Sequence, residues 1–289
     1  MDAVPRVSEN GDNLFDYIIL CTKNVPDVGP SLCDIIAPAV TPGHSVIVLI
    51  QNGINIEKPF LSRFPDNCVL SGVSRIDAHQ MSPSVIEQKQ PDKLHIGAFH
   101  NSRLSSEAQQ AAAEHFVKIY SAGGRTTCLH QPDVQRDRWR KLVYNATFNP
   151  VCALTGVNTG DLQLEGTTVK ELVIPAMKEV LQVLQAKGYA FPESIIDETI
   201  RSNPIDQKIA PSMQKDVEKV CSDYSLKAQI STEWLTQAPR QGNFLEHENI
   251  LGEVIREGQA TGVPTPILST LYALCNSVQG RMKRAKGLA

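Results

Sequence analysis

Lys141, Asn145 and Asn149 recur at steps of four in the stretch WRKLVYNATFNP (139–150). On one continuous helix this spacing stacks an ammonium and two amides on a single face, each a turn above the last. The neighbours Leu142, Val143, Ala146, Phe148 and Val151 are apolar, so the polar stripe would run beside a core. Asparagine is a poor helix former because its side chain competes for backbone hydrogen bonds. Two of them at fixed spacing leave two readings, a solvated stripe or a wall that binds something polar. The second makes chemical sense. A lysine held against a carbonyl can polarise it and supply a proton to the developing alkoxide, while amides hold a carboxylate or hydroxyl without adding charge. Such a lysine wants a carboxylate partner to tune it. Glu246 and Glu248, in FLEHENILGEVIREG, are available, although isolated acids on a helix are commonly just solvated.

The elements that must position these groups fall into two halves. FDYIILC (15–21) and SVIVLI (45–50) are short apolar runs suited to strands buried on both faces. A helical pattern over Val28–Ile36 separates them, and CVLSGVSRIDAHQ follows as a third strand. SVIEQ and KLHIGAF are expected to pair with each other around the turn KQPD. Strand–helix–strand–helix–strand is the order of a doubly wound parallel sheet, whose ligands sit beyond the carboxyl ends of the strands. CTK after the first strand and QNG (51–53) after the second occupy that place. QNG is equally readable as a plain Asn-Gly turn. Beyond SAGG (121–124) the pattern changes to helical periods over 134–155, 166–187, 193–202 and 250–280. The expected domains are therefore 1–127, α/β, and 128–289, all-α.

Bulk properties exclude several classes. With 289 residues, 42% hydrophobic and 20% charged, the chain has the composition of a globular protein with one large core or two ordinary ones. A formal net charge of −3, with no basic block beyond the terminal RMKRAKG, gives no case for nucleic acid. The longest apolar runs are strand-sized, so no membrane span is expected. Seven cysteines without CxxC or Cys/His ligand spacing fit free thiols in a reducing compartment, hence a cytoplasmic protein without a metal site.

Taken together, CTK, LIQNGI, RKLVYNATFNPVCALTG, SMQKD and ENILGEVIREGQATGVPTP give the chain a resemblance to the ketopantoate reductases (2-dehydropantoate 2-reductases), particularly fungal members. That resemblance implies a Rossmann-like NADP-binding domain followed by a helical domain of the 6-phosphogluconate dehydrogenase C-terminal type, with the active site between them. It implies NADPH-dependent reduction of a 2-keto acid, most simply 2-dehydropantoate to pantoate in pantothenate biosynthesis, and a homodimer formed through the helical half. By motif, Lys141 resembles the catalytic lysine and Glu246 the glutamate that works with it. Asn145, Asn149 and Ser212 match substrate-binding positions, and Lys23 and Asn52 match positions at the cofactor.

Two departures from the family pattern stand out. The chain contains no GxGxxG turn, the backbone cradle that holds a pyrophosphate at a helix N-terminus. The Rossmann-like sheet is therefore expected to be incomplete, with a raw edge. Deleting Val220–Gln241 would join SMQKD to the glutamate motif as DVEKGNFLEHENILG, as in the family, so this segment reads as a translated intron or a surface loop. A non-catalytic truncated paralogue, or a product read from the wrong start and retaining the helical domain, is the alternative function.

Overall fold

The structure is a computed structural model that describes residues 4–7, 14–82, 84–218 and 243–288. The expected insertion Val220–Gln241 lies outside the described residues. The chain forms two compact units, Met1–Arg138 and Trp139–Ala289.

The first unit is built on a five-stranded sheet. Its strands β1 (Tyr17–Leu20), β2 (Val46–Leu49) and β3 (Val69–Ser74) run parallel side by side. β6 (Lys93–Ala98) lies antiparallel to β3, and β7 (Thr127–His130) lies parallel to β6, giving the order β1-β2-β3-β6-β7. The side-chain period of two explains the apolar runs. Ile47 and Leu49 of β2 pack with Val69, Cys33, Ile36 and Phe60 on one face, under helices α1 (Leu32–Ile36) and α2 (Lys58–Arg63). Val48 packs with Leu70, Leu94, Ile96 and Phe116 on the other, under α3 (Ser106–Ser121). A strand covered on both faces must be apolar at every position, and these three β2 residues are fully buried.

One strand pairing differs from the sequence expectation. Val85–Gln88 (β5) does not pair with β6; it forms a separate two-stranded antiparallel ribbon with β4 (Ala78–Ser82). The reason is burial. Val85 and Ile86 are exposed, whereas Leu94 and Ile96 alternate into the core and carry β6 into the main sheet. Gly97 permits the next crossing, since a Cβ there would stand 2.0 Å from the Gln131 carbonyl oxygen.

Helix α4 (Val134–Asn145) leads from the first unit into the second. The second unit continues through α5 (Phe148–Thr155), α6 (Thr159–Glu165), α7 (Ile174–Ala186), α8 (Ser194–Arg201), α9 (Glu253–Thr261) and α10 (Pro266–Ala285). π-helical turns, Val169–Val173 and Glu248–Gly252, lead into α7 and α9, and residues 212–218 add a short helix. Met177, Val180, Val183 and Leu184 form the buried stripe of α7, recurring at three and four as a core-facing helix requires. The amino end of α10 is satisfied from α7, where the buried Glu179 carboxylate accepts from the Ile267 and Leu268 N–H groups, both at 3.0 Å. Among the described residues no helix is long and apolar enough to cross a membrane. The fold class is thus a parallel-dominated α/β sheet followed by a helical domain.

Candidate functional site

In the first unit, the loops after β1 and β2 leave the sheet at the same end because the strands are parallel neighbours. Gln51 ties them together: its Nε2 donates to the Thr22 carbonyl at 2.7 Å and to the Thr22 hydroxyl at 3.3 Å. Lys23 and Asn52 each follow one end of that link, and both are half-buried. Gly53 adopts φ +95°, a conformation that favours glycine and turns the chain sharply back. A cation and an amide at the carboxyl ends of adjacent parallel strands stand where open parallel sheets bind dinucleotides. Among the described residues no glycine-rich strand-to-helix turn supplies a pyrophosphate cradle, so the donor set fits one end of such a cofactor.

In the second unit the single-helix expectation needs correcting. Lys141 and Asn145 do share a face of α4, but Asn149 belongs to α5. The helix breaks at Ala146–Thr147, with Thr147 at φ −123°, ψ −71°. Pro150 is the physical cause: it has no N–H to give the Ala146 carbonyl, and its ring would collide with that oxygen in a continuous helix. The Thr147 hydroxyl answers the break by donating to the Val143 carbonyl at 2.7 Å and the Tyr144 carbonyl at 3.2 Å.

Burial sorts the candidates further. Lys141 is half-buried, Asn145 is buried, and Asn149 is only 2% exposed. The Asn149 Oδ1 atom has no hydrogen-bond partner among the described residues. Ser212 is exposed at the start of the 212–218 helix. Gln214, two residues on, donates to the Gly156 carbonyl at 3.1 Å and so fastens that helix to the end of α5. Glu246 is buried just ahead of the π-helical turn Glu248–Gly252. Its flanking residues are held from α10, where Gln279 Oε1 accepts from the Leu245 N–H at 3.0 Å and Asn276 Oδ1 lies 2.8 Å from His247 Nε2. α10 also packs on α5, so one helix supports the segments that carry Asn149 and Glu246. No group of three or more His, Cys, Asp or Glu side chains among the described residues could hold a metal ion.

Sequence reasoning missed Arg138 and Glu57, which lie buried together behind the Gln51–Gly53 turn. A signal was present. Val134, Arg138 and Leu142 recur at steps of four and are all buried, so the arginine occupies a core position of its helix.

Comparison with known proteins agrees with this architecture. The family model described as ketopantoate reductase PanE/ApbA matches residues 3–101. Its C-terminal counterpart matches residues 133–220 and 230–279, interrupted within the segment read above as an insertion. The uncharacterized protein YDL144C of Saccharomyces cerevisiae is 32% identical over 306 residues, covering 99% of this chain and 78% of its own length. The structure of 2-dehydropantoate 2-reductase from Methylococcus capsulatus superposes with a TM-score of 0.71 at 27% identity, over 93% of this chain and 76% of that one. D-mandelate dehydrogenase in complex with NADH shares the fold, with a TM-score of 0.73 at 18% identity over 93% of this chain and 80% of that one. Matching family models over both units, together with the yeast relative, establish that this chain belongs to the ketopantoate reductase family.

Proposed function

We propose that this protein reduces a 2-keto acid to the corresponding 2-hydroxy acid with NADPH as reductant, 2-dehydropantoate to pantoate being the simplest case. The observation that carries the reading is Asn149. Its amide oxygen is shut away from water without a partner, one helix after the lysine suited to polarise a carbonyl. A buried acceptor left unmatched costs about 1–3 kcal/mol, and a hydroxyl-bearing ligand removes that cost.

NADPH, when bound, supplies a hydride to the keto carbon. The remaining work belongs to side chains of this chain. The Lys141 ammonium polarises the keto oxygen and gives it the proton as the alkoxide forms. Glu246 is the carboxylate partner that orients Lys141. Asn145 holds the substrate carboxylate, Asn149 accepts from a substrate hydroxyl, and Ser212 adds a further hydroxyl contact. Lys23 and Asn52 hold the nicotinamide end. Keto acid, NADPH and one proton become hydroxy acid and NADP⁺, so the reaction balances without a metal.

The full chain is tested with NADPH and 2-dehydropantoate, beside other 2-keto acids, by following loss of the reduced-nicotinamide absorbance and identifying the product by mass. Turnover is expected, with kcat lower by about a hundredfold or more in Lys141→Ala, the scale of a lost general acid. A folded chain that turns over none of these acids overturns the proposal.

A further inference from the structure

The guanidinium of Arg138 is fully engaged. Its Nε faces the Ser71 hydroxyl and lies 2.8 Å from Glu57 Oε1. One terminal nitrogen donates to the carbonyls of Gln51 at 2.8 Å and Gly53 at 2.9 Å. The other donates to the carbonyls of Leu49 at 3.3 Å and Gly72 at 3.1 Å. All five N–H groups of an arginine therefore have acceptors, four of them backbone carbonyls: one at the end of β2, one within β3 and two in the turn that follows β2. Glu57 Oε1 also accepts from Ser71 Oγ at 2.6 Å and Gln135 Nε2 at 3.3 Å, which fixes the carboxylate that aims the guanidinium.

The two turn carbonyls that Arg138 grips belong to the residues on either side of Asn52. Gln51, gripped through its carbonyl, reaches through its side chain to Thr22 beside Lys23. We propose that Arg138 is a positioning residue: oriented by Glu57, it sets the Gln51–Gly53 turn from behind and thereby fixes Asn52, and through Gln51 the loop of Lys23, for cofactor and substrate. The inference rests on the reading of Asn52 as a site residue given above. Only a planar fork of five donors can hold four divergent carbonyls at once; an ammonium holds fewer.

The test uses the full chain with Arg138→Lys and with the pair Arg138→Met and Glu57→Leu, which removes both buried charges together so that neither is stranded. Hydrogen exchange of the backbone is read first. Residues 50–55 are expected to exchange at least about tenfold faster in both variants, while α3 stays protected as in the parent. Unchanged exchange across 50–55 overturns the inference whatever the activity, and it is readable even if no 2-keto acid is turned over.

Activity supplies the second reading. The Arg138→Met and Glu57→Leu pair is expected to lower kcat/KM about a hundredfold, the scale of a catalytic group misplaced by about an ångström, with Arg138→Lys intermediate. In an Asn52→Ala background the same pair should cost only a few-fold, because the residue it positions is gone. Full additivity in that cycle would show that Arg138 does not act through Asn52.

Discussion

The Nε atom of Arg138 lies 2.8 Å from Oε1 of Glu57, and both side chains are closed to solvent. Burial pulls the guanidinium below its ordinary value and the facing carboxylate opposes that fall. An arginine does not lose its proton in this setting, so the pair stands as two charges in the interior of the first unit. Removing one partner strands the other, which is worse than removing both.

Glu57→Leu alone should therefore destabilise the first unit by about 3–5 kcal/mol, and adding Arg138→Met should restore part of the loss. Urea unfolding of the single and paired variants, followed by fluorescence or circular dichroism, measures this. A single variant as stable as the parent, or a pair less stable than the single, contradicts the buried-pair account.

Asn149→Leu separates stability from function. The parent amide leaves Oδ1 without a partner at 2% exposure, so an apolar side chain of similar size should leave the fold at least as stable, raising the unfolding free energy by up to about 1–3 kcal/mol. The same variant should raise KM for a hydroxylated 2-keto acid about tenfold, the value of one lost hydrogen bond. An unchanged KM in a working enzyme removes Asn149 from the binding wall.

Glu179 offers a purely structural check in the second unit. Its carboxylate receives the Ile267 and Leu268 N–H groups at the start of α10. Glu179→Ala leaves two donors without their acceptor and should cost about 1–3 kcal/mol. Thermal melting of parent and variant decides it, and an unshifted midpoint would mean water replaces the cap.

Buried thiols predict an alkaline loss of stability. Burial pushes Cys152 and Cys275 up from 9.0 to about 12. Below 9.0 both are protonated in folded and unfolded chains, and their contribution is fully present. Between 9.0 and about 12 the unfolded thiol ionises first, so stability falls as pH rises, by about 1.4 kcal/mol per pH unit for each thiol. Urea midpoints across that window should fall less steeply in a Cys152→Ala, Cys275→Ala chain than in the parent; parallel curves would discount the thiols.

Much of this protein is written in the sequence because the physics involved is local. Apolar runs at strand length became β1 and β2, since strands covered on both faces admit only apolar side chains, whereas the run expected as one third strand was divided, Val69–Ser74 joining the sheet as β3 and Ala78–Ser82 pairing with β5. Lys23 and Asn52 fall just beyond β1 and β2, where the strand lengths put them, and helical periods separate the second half from the first. The spacing of Lys141 and Asn145 by four was enough to place them on one face. The tertiary structure decided what depends on partners distant in the chain. Val85–Gln88 left the expected hairpin because Leu94 and Ile96 found a better-buried place beside β3. The expected single helix became two because Pro150 cannot donate to Ala146, and Thr147 filled the gap. The role of Arg138 was decided the same way. Its acceptors lie 66 to 89 positions away in the chain, and only folding brings those carbonyls around one guanidinium.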